Sequence, residues 1–566
     1  MELLYLWIED YKNIKQQGFN FSPLYDFEFK PDNFNEDGKI IGGKLIDAIT
    51  EAERTKKTAF YKDFFNLKSE KEDEETQKGT ITNVTAIVGE NGAGKSSVLE
   101  FILYNSVLEK VNFFLVYKND TEEIFEKNIA VKSQINKNKK HPISENDETK
   151  VIYYDNMVLK NNPFGYRSDE TDYADSSTSN YIKNYKEIVI EDPRRQAKLI
   201  NKSWLKELPF LNSFTNHKPY LEVYIENDEI EKARKKFPNI IENNLEGIIK
   251  LIYYKNLYIN NTTSLTETGF KTLEELENYI NLKSLLKNYT ALNNLLLFFN
   301  EHYTDVAIDG TTFWISLNLV DKFLKFISPS QLRTFIISWT LVNNTSSRLE
   351  DMYYFSSGEI AMLNIFSRLL EAELAATFAE QVIIVIDEGE LGLHPQWQKQ
   401  YLKILLETLP KIFEGKQIQL ILTSHSPFLV SDLPKENVIF LEKEENTGLC
   451  KVSKLDSMKH TFGANIHTLL TDSFFMKGGL VGEFAQSKID EVIKLLDKPK
   501  LDEKETEHCE MVISMVGEPI VKTMLRKLLD SKRLRKVDEH SSEIEKLRKR
   551  IEDLENDNKK KNKNKD

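Results

Sequence analysis

Gly89-Glu-Asn-Gly-Ala-Gly94-Lys95-Ser96 lies between the apolar run "VTAIV" and the apolar-periodic stretch "SVLEFIL". A strand, a glycine-rich turn and a helix in that order leave few folds open. The glycines let backbone amides wrap a phosphate, Lys95 reaches its terminal oxygens, and the Ser96 hydroxyl can ligate Mg²⁺. The spacing therefore predicts an open α/β sheet with this loop at its carboxyl edge. Gly89, Asn91, Gly92, Gly94, Lys95, Ser96 and Ser97 are the expected nucleotide contacts.

Two further apolar runs end in polar residues. "VIIVIDEGE" carries a five-residue strand, Val382 to Ile386, into Asp387 and Glu388. A strand buried on both faces delivers such acids to the carboxyl edge, Asp387 toward Mg²⁺ and Glu388 toward the attacking water. "LTSHSP" repeats the pattern, placing Ser424 and His425 at the same edge, where a neutral imidazole can donate to a γ-phosphate. ATP and Mg²⁺ are the expected cofactors, with Lys95, Glu388 and His425 as catalytic residues. His394 in "LGLHP" either lines a subunit interface or caps a turn.

"FSSGE" at 355–359 opens another helical stretch. Read alone, Ser followed by Glu is a capping pair. Read with the motifs around it, Ser356, Gly358 and the helix they start would hold the γ-phosphate of an ATP bound to a second copy of the chain, in a head-to-tail dimer.

With 566 residues, 40% hydrophobic and 29% charged, the chain has room for several globular domains. It shows no apolar run of membrane-spanning length and no signal-peptide pattern, and it has only two distant cysteines, Cys450 and Cys509. The expected location is cytoplasmic, with no membrane partner. A net charge of −13 argues against a protein coated for nucleic acid. A local contact through Arg194, Arg195, Arg234, Lys235 and Lys236 stays open, against their plainer reading as solvated surface. The pattern divides into a first lobe (1–160), a mainly helical insertion (161–305), a second lobe (306–460) and a helical C-terminal region (461–566). In the last of these, Ile544, Leu547, Ile551 and Leu554 form a short coiled-coil-like seam.

The order P-loop, "FSSGE", "IDEGELGLHP", "TSHSP" resembles the ABC-type ATPases of the SMC, RecF and OLD group over about half the chain. The resemblance implies an α/β ABC-type P-loop ATPase with two lobes around a mixed sheet. It matches Ser356, Gly358 and Glu359 to the signature motif, Asp387 and Glu388 to the Walker B pair, and His425 to the switch histidine. Lys12 matches a basic residue that some relatives place near the nucleotide, and Asn156 falls where a Q-loop glutamine would. "FGANIHTLLTDSFFMKGGLVGEFA" and "MVGEPIVKTMLRKLL" are similar to the C-terminal part of the PtuA ATPases of Septu antiphage systems, also found with some retrons. That family implies an HNH nuclease as a separate subunit, dimers or larger oligomers, and DNA or a retron nucleic acid as a further partner.

The OLD relatives append a Toprim nuclease. "MVISMVGEPI" could imitate its first strand with Glu518 as the acid, but no later Asp-x-Asp follows, so no intrinsic nuclease is expected. The expected function is the ATPase subunit of a defence complex. A repair or clamp-like ATPase acting on DNA is the alternative, and a transporter ATPase is the most remote.

Overall fold

The computed structural model describes residues 2–34, 36, 40–67, 78–103, 111–118, 124–129, 149–155, 173–175, 192–207, 217–225, 298, 301–302, 306–309, 312–326, 335–343, 352–375, 379–453, 460–472 and 481–563. They fall into two compact units, Met1–Phe475 and Met476–Asp566.

The first unit opens with the hairpin β1 (Glu2–Tyr11) and β2 (Ile14–Asn20), then the ribbon β3 (Phe27–Phe34) and β4 (Ile40–Asp47), and α1 (Glu51–Tyr61). The predicted strand–loop–helix follows as β5 (Thr80–Gly89) and α2 (Lys95–Leu103), then β6 (Phe113–Lys118), β7 (Ile124–Ile129), β8 (Thr149–Asp155) and β9 (Tyr173–Asp175). Next come α3 (Asp192–Ile200), β10 (His217–Ile225), β11 (Val306–Asp309), β12 (Thr312–Ser316), α4 (Val320–Phe326), β13 (Phe335–Asn343) and β14 (Met352–Tyr354). Then come α5 (Ser357–Ala375), β15 (Gln381–Asp387), α6 (Pro395–Ile412), β16 (Gln417–Ser424), α7 (Pro427–Ser431), β17 (Val438–Lys443), β18 (Cys450–Ser453) and α8 (Ile466–Asp472).

Eleven strands form a mixed sheet in the order β7-β6-β1-β2-β18-β17-β5-β16-β15-β8-β9. From β17 to β9 neighbouring strands run parallel, so β5, β15 and β16 all end at one edge. Strict alternation splits β15 between two cores. Val382, Ile384 and Ile386 pack with Met362 and Phe366 of α5 and Leu405 of α6. Ile383 and Val385 pack with Val98 and Ile102 of α2 and Leu6 of β1. Apolar burial on both faces is what makes these strands continuous hydrophobic runs.

At the opposite, amino edge of β5, β15 and β16 lies a cavity of about 500 Å³ lined in part by Glu2, Tyr61, Asn83, Gln381, Gln417 and Gln419. A second sheet, β11-β12-β10-β13-β14, is wholly antiparallel. Its strand β10 lies in the insertion read as mainly helical (161–305), and its other four strands lie in the stretch read as the second lobe. "LEELENYINLKSLLKNYTALNNLLLFFN", on which the helical reading rests, falls outside the described residues except at Phe298.

In the second unit, α9 (Glu483–Asp497), α10 (Glu503–Met515) and the start of α11 (Pro519–Lys563) share a core of Ile489, Val492, Val512, Ile513, Leu525 and Leu529. "MVISMVG" is the end of α10 and a turn, not a strand, and Glu518 sits exposed between α10 and α11. The Toprim-like strand is corrected accordingly. No helix among the described residues is long and apolar enough to cross a membrane.

Candidate nucleotide site

β5 ends at Gly89 and α2 begins at Lys95, leaving a loop whose Gly92 and Gly94 have φ of +76° and +113°. Gly94 is also closely packed. A β-carbon there would stand 3.2 Å from Cys450 Sγ and 3.3 Å from Asn13 Oδ1. Glycine is thus favoured by conformation, in surroundings that leave a side chain little space. The loop is tied to the β1–β2 turn by Asn13 Nδ2, which donates to Gly92 O at 3.0 Å.

Lys95 is buried, and its Nζ donates to Gly89 O at 3.1 Å and Glu90 O at 3.3 Å. The same ammonium stands 2.8 Å from His425 Nε2. Burial lowers the Lys95 pKa, with Glu388, Asp387 and Glu390 opposing the shift. Asn91, Gly92 and Ser96 face solvent, whereas Ser97 is buried inside α2.

The parallel register sets Asp387 beside Thr423 on one side and Asp155 on the other. Asp387 Oδ1 accepts from the Thr423 hydroxyl, while burial raises its pKa. Glu388 continues past the strand end at φ +49°, a left-handed conformation that costs a side-chain-bearing residue about 1–2 kcal/mol. Its N–H is held by Thr423, at 3.0 Å to Oγ1 and 3.2 Å to O. This turn aims the carboxylate at His425, whose Nε2 lies 3.1 Å from Glu388 Oε1. The hydrogen bond from His425 lowers the Glu388 pKa, overcoming burial. The structure therefore brings Lys95, Glu388 and His425 into one cluster, with Asp387 adjacent in the chain.

Sequence reasoning passed over Thr423 and Glu390. Glu390 is 3% exposed, and its Oε1 accepts from the Ser424 hydroxyl and, at 3.2 Å, from the His425 N–H. Its Oε2 has no partner among the described residues, and burial raises its pKa. It positions the histidine's backbone from below. The one available signal was the pair of glutamates two residues apart in "DEGE".

Other expected site residues are placed less directly. Lys12 sits at φ +53° in the β1–β2 turn, and its Nζ pairs with Glu100 of α2 at 2.6 Å. Asn13, its neighbour, makes the contact with the phosphate loop. His394 is exposed and caps α6, accepting from Gln396 N–H at 3.2 Å through Nδ1.

Ser356 is exposed and forms the capping pair with Glu359. Its N–H donates to Glu359 Oε2 at 2.7 Å, and Glu359 N–H donates back to its Oγ at 3.3 Å. The amides of Ser357 and Gly358, in the first turn of α5, have no acceptor within the helix. Gly358 is packed on α6, where a β-carbon would come within 3.0 Å of the Trp397 ring. α5 itself is anchored by buried Arg368, which donates to Asp192 of α3 at 2.9 and 3.2 Å.

Burial at that anchor corrects the basic-contact reading for Arg195. Arg195 is 6% exposed and pairs with Asp192 and Glu371, and Arg194 pairs with Asp321 at 3.2 Å. Both are engaged in holding α3. Asn156, Arg234, Lys235 and Lys236 lie outside the described residues.

A buried lysine in a glycine loop fits ATP phosphates, and the Ser96 hydroxyl with the Asp387 carboxylate offers the hard oxygen ligands that Mg²⁺ prefers. Mg²⁺ in such sites takes one or two protein ligands plus phosphate. It therefore does not need three clustered protein ligands, and no such metal-holding group is present among the described residues. A phosphate loop with an acid pair and a histidine from neighbouring parallel strands defines a P-loop ATPase fold.

Residues 84–431 match the family described as "AAA domain, putative AbiEii toxin, Type IV TA system", and the chain belongs to that family. Among curated relatives, it is similar to the Septu protein PtuA of Bacillus mycoides (strain KBAB4), 29% identical over 29% of this chain and 22% of the relative. It is also similar to the Retron Vc95 probable ATPase of Vibrio cholerae serotype O1 biovar El Tor, 23% identical over 63% of this chain and 68% of that one. The Retron Ec83 probable ATPase of Escherichia coli is 24% identical over 64% and 67% respectively. The match thus spans about a fifth of the PtuA relative and about two thirds of the retron ATPases. A solved structure of the recombination mediator RecF with an ATP analogue aligns at 12% identity with a TM-score of 0.20, covering 80% of this chain and 97% of that one.

Proposed function

We propose that the chain binds and hydrolyses ATP as one subunit of an antiphage defence complex, closes head-to-tail on a second copy around a pair of ATP molecules, and controls a separate HNH nuclease. The cluster of Lys95, Glu388 and His425, at 2.8 and 3.1 Å, carries the hydrolytic part. Lys95 neutralises the terminal phosphates. Glu388, kept ionised by the histidine, orients the attacking water and takes its proton. His425 contacts the γ-phosphoryl group. Ser96 and Asp387 hold Mg²⁺, which when bound offsets charge on the phosphate oxygens.

The dimer rests on the helix opening at Ser356. Its hydroxyl and amide close on Glu359 in the same turn, while the first-turn amides of α5 remain directed outward along the helix dipole. A phosphate presented by a second copy fits such an end. The Septu and retron relatives support the defence role, and the nuclease partner is what the sequence resemblance to the PtuA ATPases implies.

Ser356→Arg tests the arrangement. The variant keeps its own phosphate loop, so it binds ATP but fails to dimerise with ATP or to hydrolyse it. Mixed with Lys95→Ala, equally inactive alone, it regains turnover through the composite site formed by one intact loop and one intact helix opening. ATP-dependent dimerisation and wild-type turnover by Ser356→Arg would sink the shared-site reading. Purification of the tagged chain from its native host checks the nuclease, which should travel with it.

A further inference from the structure

We propose that the segment 543–555 of α11 forms a parallel, two-stranded coiled coil with a second copy of this chain. Ile544, Leu547, Ile551 and Leu554 are 52%, 56%, 56% and 61% exposed, and their 3-4-3 spacing makes one apolar stripe along an otherwise charged helix. A stripe two heptads long cannot nucleate its own helix in water. Here it need not, because α11 is already built. Its base is fixed by Leu525 and Leu529 in the three-helix core, and the helix then runs unbroken to Lys563.

The order of residue types selects the partner. Ile at both a positions and Leu at both d positions favours two parallel strands. The flanking charges agree. In a parallel, in-register pair, Glu543 of one copy faces Arg548 of the other, and Arg550 faces Glu555, so both cross-pairs are attractive. An antiparallel pair that still buries all four apolar residues sets Arg548 against Arg548 and Arg550 against Arg550. Like charges at these flanking positions reject that orientation. All four flanking residues are exposed, as the pairing requires. The contact is independent of nucleotide, and so is separate from ATP-driven closure.

The test uses the full-length chain without nucleotide, in sedimentation equilibrium. The double variant Leu547→Glu/Leu554→Glu should halve the particle mass, with its circular dichroism and its ATP binding unchanged. An unchanged mass overturns the proposal. Ile551→Cys tests the orientation, since a positions face their own copies only in a parallel pair. Both native cysteines are buried, so mild oxidation should give a covalent dimer with Ile551→Cys and none with the outward-facing Lys549→Cys. Failure of Ile551→Cys to cross-link, or equal cross-linking by Lys549→Cys, overturns the parallel pair even if the nucleotide site is as described.

Discussion

The same three strands, β5, β15 and β16, end in two very different polar regions. At their amino edge the polar groups are mostly neutral amides bonded to one another and to the backbone, although Gln381 Oε1 has no partner among the described residues and Glu2 is a buried carboxyl. Gln419 exchanges hydrogen bonds with the Leu3 backbone at 2.8 and 2.9 Å, Asn83 donates to Phe21 O at 2.5 Å, and Gln381 donates to Gln417 at 3.0 Å. At the carboxyl edge the groups are charged and uncomfortable. Lys95 has a depressed pKa, Glu388 holds a left-handed backbone, and Glu390 keeps a buried oxygen without a partner among the described residues. One end stitches the β1–β2 hairpin to the sheet. The other stores unfavourable terms that a polyphosphate can relieve, the usual sign of a working site.

The largest expected contrast comes from Glu388→Gln. Hydrolysis should fall by about two to four orders of magnitude, the range for losing a general base, with ATP still bound and the unfolding midpoint not lowered. Single-turnover kinetics alongside thermal unfolding check both halves. A fall in stability matching the fall in rate would erase the contrast between the edges.

The reverse pattern is expected of Asn83→Ala. This side chain is 2% exposed and joins Phe21 O, Glu2 and Asn437. Its removal should cost about 1–3 kcal/mol, read by denaturant titration, while turnover per folded molecule stays at the wild-type level.

A smaller effect separates the edges by pH. Burial, only partly offset by Lys118 and Asn83, raises Glu2 from its ordinary value of 4.5 to about 7. A carboxyl with a raised folded-state pKa contributes stability that is full below its unfolded value and is lost as pH rises through about 7. Glu2→Gln, which cannot ionise, should therefore match the wild type near about pH 5 and melt roughly 1–2 °C higher near about pH 8. Equal melting temperatures at both pH values would remove Glu2 from the amino-edge account.

Much of the carboxyl edge was legible because strands buried on both faces appear as apolar runs that stop at polar residues. "VTAIVG", "VIIVID" and "LILTS" each announce their own ends. What sequence concealed was contact across strands. Thr423 looks like an ordinary strand residue until register sets it beside Asp387 and under the Glu388 amide. Arg195 reads as a surface cation, yet Asp192 and Glu371 draw it inside. The antiparallel sheet was hidden for the same reason. β10 finds β13 across more than a hundred intervening residues, a pairing that no local periodicity encodes.

The contact between Gly358 and Trp397 has an optical consequence. Of the chain's five tryptophans, this one lies against the first turn of α5, close enough that a β-carbon at position 358 would press on the indole at 3.0 Å. Anything that reaches Ser356 to Gly358, whether a phosphate or a second subunit, enters the surroundings of that indole and changes its polarity. The protein thus carries a native fluorophore at the helix end where a partner's nucleotide is proposed to dock, and its emission can follow closure without any label.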